Sequence, residues 1–216
     1  MSKLKNVIMQ KIHNLIILDA SGSMYSIKNQ AVNGLNETVQ TIRDAQNKHP
    51  EQEHSVTLVV FNSSATTTVY DGVPAAQAKD MAPDEYNPDC CTPLFDAMGF
   101  SINALRTKVK KGETVLVTII TDGEENSSTE FNRNAIKALV DELKAEGWVF
   151  TYMGANQDVE KVAMSISISN HILWESTAEG TQSMFNREKR ARTRFFDRLA
   201  MGESAADMQA DYYDEI

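Results

Sequence analysis

The feature that most constrains the fold is a change of hydrophobic period that repeats along the chain. Compact aliphatic runs alternate with longer segments whose apolar residues fall at helical spacing. His13 to Leu18 is the first run, with no polar alternation after Asn14, as expected of a strand covered on both faces. Residues 28–48 then place Ala31, Val32, Leu35, Val39 and Ile42 on one helical face. Val56 to Phe61 reads as a second buried strand. The Thr-rich run Ala65 to Tyr70, joined to it through Asn62-Ser63-Ser64, reads as an exposed edge strand. The polar stretch with Pro74, Pro83 and Pro88 is expected to be loop, and Pro93 suits the first turn of a helix running to about Lys110. Val115 to Ile120, Trp148 to Met153 and His171 to Trp174 are further strands. Helices are expected over 129–146 (ended by Gly147), 157–165 and 178–200.

This order calls for an α/β three-layer sandwich, with a mostly parallel central sheet, one antiparallel edge strand and helices on both faces. Right-handed crossovers bring the loops that follow the strands to one edge, where ligands of such folds collect. With 216 residues, 42% of them hydrophobic and 24% charged, the chain can fill one core. The expected division is a domain over 12–200 and an acidic tail over 201–216. In that tail Glu203, Asp207, Asp211, Asp214 and Glu215 meet no base, so a frayed or loosely docked segment is expected. A net charge of −9 argues against wholesale coating of nucleic acid or anionic membrane. The run Leu15 to Leu18 is far shorter than the ~20 residues of a bilayer span or the roughly 7–15 of a secretory core, so a cytosolic location and no membrane partner are expected. Two cysteines, the neighbours Cys90 and Cys91, cannot build a disulfide framework or a zinc site and read as free thiols.

The strand ends carry the chemistry. Asp19-Ala20-Ser21-Gly22-Ser23 follows the first buried strand, Thr121-Asp122-Gly123 follows the strand at 115–120, and Cys91-Thr92-Pro93 opens a helix. Asp19, Asp122, Ser21, Ser23 and Thr92 are hard oxygen donors on short side chains. Such a set favours Mg²⁺, with Mn²⁺ or Ca²⁺ as alternatives, over zinc or copper. Alternate residues 19, 21 and 23 in a tight loop can point at one centre, and Gly22 relaxes the turn between them. The plainer reading is that Asp19 and Ser21 cap the next helix and Asp122-Gly123 makes a turn.

DASGS at 19–23, Thr92 within CTPLFDA and TDGEEN from 121 resemble the three parts of the metal-ion-dependent adhesion site of von Willebrand factor A (vWA) domains, in a chain similar to the stand-alone bacterial type. The resemblance spans about residues 12–175. It implies that Ser21, Ser23 and Thr92 coordinate an ion through their hydroxyls, and that Asp19 and Asp122 bind it directly or through water. It also implies that an Asp or Glu carboxylate from a protein partner completes the coordination. One departure is Cys90-Cys91 before Thr92, where many relatives carry Gly-Gly, which bears on how far that loop can swing.

Tyr25, Glu124, Asn156 and Asp158 fall in loops at the same edge and are expected to form a partner-binding rim, with Tyr25 as an aromatic anchor. The plainer reading makes Asn156 or Asp158 a helix cap and leaves Glu124 solvated. In 187–198 six bases against Glu188 and Asp197 give a net charge of +4, so the rest of the chain carries −13. Arg187, Arg190 and Arg194 are therefore candidate contacts for an acidic protein or a nucleic acid, against a solvated face that simply answers the acidic body. The function expected is metal-dependent protein recognition without catalysis. Two alternatives are a Mg²⁺-dependent phosphoryl-transfer enzyme with Asp19 as nucleophile, and a regulator of nucleic-acid-linked machinery acting through the basic helix. Against the enzyme, position 21 is Ser where haloacid-dehalogenase-type phosphatases carry a second Asp, and neither GxxxxGK[ST] nor GxGxxG occurs.

Overall fold

The computed structural model describes residues 9–155 and 158–214. Six strands, β1 (Gln10–Asp19), β2 (Gln52–Phe61), β3 (Thr66–Pro74), β4 (Thr114–Thr121), β5 (Val149–Ala155) and β6 (Asn170–Trp174), form one sheet. Their order is β3-β2-β1-β4-β5-β6, and β3 alone runs antiparallel to its neighbour. The helices are α1 (Lys28–Lys48), α2 (Leu94–Arg106), α3 (Arg133–Ala145), α4 (Val159–Ser165) and α5 (Ala178–Ala200). The expected α/β sandwich, with its single antiparallel edge strand, is the observed architecture.

The unbroken aliphatic run in β1 has a direct cause. Successive side chains leave a strand on opposite faces, so Ile16 and Leu18 enter the core beneath α1 and α5 while Leu15 and Ile17 enter the core beneath α2, α3 and α4. A central strand flanked by β2 and β4 must therefore be apolar on both faces. All eight residues of β4 are buried for the same reason.

Some boundaries move. Helix α2 ends at Arg106, not near Lys110, and a turn with Gly112 at φ 89° leads into β4. Helix α3 starts at Arg133, not at 129, because the Asp96 carboxylate accepts from the N–H groups of Thr129, Glu130 and Phe131 at 2.8–3.0 Å and holds them in a loop. Asn132 then caps the helix by accepting from the Ala135 N–H.

The acidic tail is expected to fray, but its described residues, 201–214, pack back onto the domain. Met208, Tyr212 and Tyr213 are buried, and the two tyrosine hydroxyls donate to opposite oxygens of Glu188 at 3.0 and 2.7 Å. Arg194 donates to the carbonyls of Asp211 and Tyr212, and Arg198 pairs with Asp211 and Glu203. Of the tail acids, Glu203 and Asp211 pair through their carboxylates with Arg198 of α5. Beneath them lies a polar cluster: Arg192 and Glu188 are both fully buried and paired at 2.7 Å. Arg192 also reaches Thr118 at 2.7 Å and Asn14 at 3.2 Å. Every charge in this cluster is met by hydrogen bonds, which is the condition under which a buried ion pair is tolerated.

Candidate metal centre

Strands β1 and β4 are adjacent and parallel, with Leu18 opposite Ile120, so the segments that leave them emerge side by side. Asp19 is the last residue of β1, and Asp122 follows directly on β4. Thr92 arrives from the loop before α2. The crossover geometry therefore delivers three segments, distant in sequence, to one point above the sheet edge.

The five predicted side chains meet there. Ser23 Oγ donates to Asp122 Oδ1 at 2.5 Å and lies 3.2 Å from Ser21 Oγ. Gly123 locates the centre of the group. A Cβ placed on it would sit 2.8 Å from Thr92 Oγ1 and 3.3 Å from both Ser21 Oγ and Ser23 Oγ. Three hydroxyl oxygens thus surround a space that is open because residue 123 has no side chain. Asp19, Ser21, Thr92 and Asp122 are buried, whereas Ser23 is exposed, so the cluster has a closed floor and one side towards solvent.

Asp19 is held from several directions. Its Oδ1 accepts from the Ser21 N–H at 2.7 Å, and its Oδ2 accepts from Thr121 Oγ1 at 2.6 Å. Its carbonyl accepts from the hydroxyl of the fully buried Tyr86. Burial raises the Asp19 carboxyl from 3.8 to about 6, against the pull of the Thr121 and Ser21 hydrogen bonds, with the charge of Asp122 adding to the rise. Burial together with the Asp19 and Asp122 charges pushes the Tyr86 phenol well above its usual value. A bound divalent cation would reverse the balance at Asp19 by favouring the carboxylate.

The donor set suits such an ion. Two carboxylates and three hydroxyls are hard oxygen donors; the three hydroxyls surround a gap, and the Asp122 carboxylate is bonded to one of them. Among the described residues no group of three or more His, Cys, Asp or Glu side chains could hold a metal, and the donors gathered here are mainly hydroxyls. Three further residues, none of them among the expected metal ligands, hold these side chains in place. Thr121 fixes Asp19, and its signal was its place directly before Asp122. Ser176, just ahead of α5, donates to Asp122 Oδ2 at 3.0 Å; nothing in its local sequence marks it. Asn126 clamps Thr92 reciprocally, its side chain accepting from the Thr92 N–H at 2.9 Å and its own N–H donating to the Thr92 carbonyl at 3.2 Å.

The outer predictions divide. Tyr25 is 71% exposed beside the loop of Ser21 and Ser23, and Glu124 is exposed. Asp158 caps α4, accepting from the Lys161 N–H, which is the plainer of its two readings. Asn156 lies outside the described residues. On α5, Arg187 lies over the Tyr213 ring and donates to its carbonyl, and Arg194 is taken up by tail carbonyls. The basic face is therefore answered largely within the chain, which corrects the expectation of a free cationic contact at those two positions; Arg190 is exposed. No helix among the described residues is long and apolar enough to cross a membrane.

No family model matches the sequence, and no curated protein matches it. Solved structures do. The D319A mutant of the PilB minor pilin from Streptococcus sanguinis superposes with a TM-score of 0.60 at 13% identity, over 91% of this chain and 64% of that one. The SpRpn10 VWA domain matches with a TM-score of 0.55 at 10% identity, over 83% of this chain and 95% of that one. The vWF domain of the type V pili tip protein Mfa5 from Porphyromonas gingivalis gives 0.55 at 9% identity, again over 83% and 95%. This chain spans less than two thirds of the length of the pilin. At such identities the likeness is one of architecture: the chain has the α/β fold of a vWA domain.

Proposed function

We propose that this protein is a divalent-metal-dependent protein-binding module. The observation that carries the reading is the convergence of Ser21, Ser23 and Thr92 around the side-chain-free Gly123, with Asp122 bonded into the same group. Asp19, Asp122 and the three hydroxyls would hold Mg²⁺, Mn²⁺ or Ca²⁺. The ion would supply a Lewis-acidic position for an Asp or Glu carboxylate of a partner protein. The chain's own part is to preorganise oxygens. Thr121 and Ser21 orient Asp19, Ser23 and Ser176 orient Asp122, and Asn126 fixes Thr92. A carboxylate–metal contact demands a charged donor in one direction, and so adds specificity to an ordinary surface contact. Tyr25 supplies an exposed aromatic beside the site, the kind of group that anchors interfaces.

A protein partner is favoured over nucleic acid because Arg187 and Arg194 are engaged by the tail. Catalysis by Asp19 is disfavoured because position 21, where haloacid-dehalogenase-type phosphatases carry a second Asp as general acid, is Ser. The test is capture of partners by the wild type in Mg²⁺, compared with wild type in EDTA and with Asp19→Ala/Ser21→Ala in Mg²⁺. A partner lost in both controls, together with loss of calorimetric Mg²⁺ binding in the double variant, is the expected result. Mg²⁺-dependent phosphatase turnover that Asp19→Asn abolishes would overturn the reading.

A further inference from the structure

Cys90 and Cys91 are both exposed and unpaired in a disulfide, and they directly precede Thr92. Their backbone builds the wall of the site. The Cys90 carbonyl accepts from the Gly22 N–H at 3.0 Å, which ties it to the loop between Ser21 and Ser23. The Cys91 carbonyl accepts from the Ser63 N–H at 3.0 Å, and the Cys91 N–H donates to Ser63 Oγ at 3.1 Å. Cys90 sits at φ 64°, in the left-handed region that favours glycine, so the reduced loop already holds a non-glycine residue in a sparsely populated conformation.

We infer that Cys90-Cys91 is a redox modification site that controls the Thr92 arm of the metal centre. The inference rests on the metal reading above. The covalent geometry sets its character. Consecutive Cα atoms across a trans peptide are about 3.8 Å apart, whereas relaxed disulfides span roughly 4.4–6.8 Å. A bridge between neighbours is therefore strained and cannot form around the present loop without moving the 90–91 peptide. Strained, exposed disulfides are the easily reduced, regulatory ones. The peptide that must move carries the carbonyl that holds Gly22 on one side, and leads into Thr92 on the other.

The oxidant is a small-molecule disulfide. One thiolate of the pair attacks a sulfur of it, forming a mixed disulfide and expelling one thiolate, which takes up a proton. The neighbouring cysteine, after losing its proton, attacks the protein-side sulfur, closes the 90–91 bridge and expels the second small thiol. Two electrons and two protons leave the pair, and one small disulfide becomes two thiols.

The experiment treats the full chain with oxidised glutathione and then with dithiothreitol. It reads three quantities: intact mass, amide hydrogen exchange of Gly22 and Ser63 without metal, and Mn²⁺ affinity. Expected are a monomer lighter by two hydrogens, at least tenfold faster exchange at Gly22 and Ser63, and at least tenfold weaker Mn²⁺ binding, all reversed by dithiothreitol. Cys90→Gly, which suits the positive φ, and Cys91→Ser, each compared with its own untreated state, should show none of the oxidative changes. Formation only of intermolecular dimers or stable glutathione adducts would overturn the inference. So would a closed bridge that leaves exchange and Mn²⁺ affinity unchanged. If the reduced protein binds no Mn²⁺, the metal reading fails instead, and the exchange data alone then decide whether the bridge moves the loop.

Discussion

Gly123→Ala puts a methyl group into the space on which the proposed centre depends. Its Cβ would fall 2.8 Å from Thr92 Oγ1, against an ordinary separation of roughly 3.5 Å, so the Thr92 hydroxyl must retreat by about 0.7 Å. Rotating Thr92 off its preferred rotamer costs about 0.5–1.5 kcal/mol. Gly123 is not among the glycines with left-handed backbone, so alanine is tolerated there and gains about 0.4–1 kcal/mol by restricting the unfolded chain. The two effects nearly cancel. For a chain of this size a residual 1 kcal/mol moves the melting temperature by only about 2–4 °C. Metal affinity is expected to behave differently, because disturbing groups that orient a bound ion typically costs about 10–100-fold. Calorimetric titration with Mn²⁺, paired with thermal denaturation in EDTA, separates the two quantities. A variant that binds Mn²⁺ as tightly as the wild type, with an unchanged melting temperature, would refute the idea that the ion sits among these hydroxyls.

Other outcomes follow from the packing. Arg192→Met leaves Glu188 buried with only the hydroxyls of Tyr212 and Tyr213 as partners; a loss of about 3–5 kcal/mol in urea denaturation is expected, partly recovered by adding Glu188→Leu. In Gly34→Ala the new Cβ would lie 1.9 Å from Phe185 Cδ2 on α5, so overpacking of about 1–3 kcal/mol should outweigh the better helix propensity and lower the urea midpoint. His54 is neutral in the fold, its Nε2 donating to Gln52 Oε1 and its Nδ1 facing the Asn14 amide, and burial first, with the Arg192 charge second, lowers its pKa from 6.5 to about 3. The folded state therefore binds fewer protons than the unfolded one between those values. The stability His54 contributes is complete above about pH 6.5 and is lost as pH falls towards 3. Between pH 7 and 4.5 the unfolding free energy from urea denaturation should fall less in His54→Gln than in wild type, by at most about 2–3 kcal/mol.

Much of the sheet was legible because periodicity reports two-sided burial directly, as in Leu15 to Leu18 and Val115 to Ile120. The candidate site was legible because its five residues stand at strand and helix ends, where crossover rules bring loops together. What stayed hidden depended on contacts between distant segments. Ser176 becomes a neighbour of Asp122 only when α5 packs back over the sheet. The tail reads as solvated from its acids alone, whereas Met208, Tyr212 and Tyr213 become anchors only once α5 lies beside them. The start of α3 was misplaced because a carboxylate on another helix, Asp96, takes the N–H groups that local propensity assigns to the helix.

The most direct measurement is a crystal structure grown with Mn²⁺, using the anomalous signal of the metal to locate it. One ion is expected within about 2.0–2.6 Å of the Ser21 and Ser23 hydroxyl oxygens, with Thr92, Asp19 and Asp122 bound to it directly or through water and one coordination position open to solvent. Absence of an anomalous peak in that cleft at saturating Mn²⁺, or a peak held elsewhere by other side chains, would contradict the account.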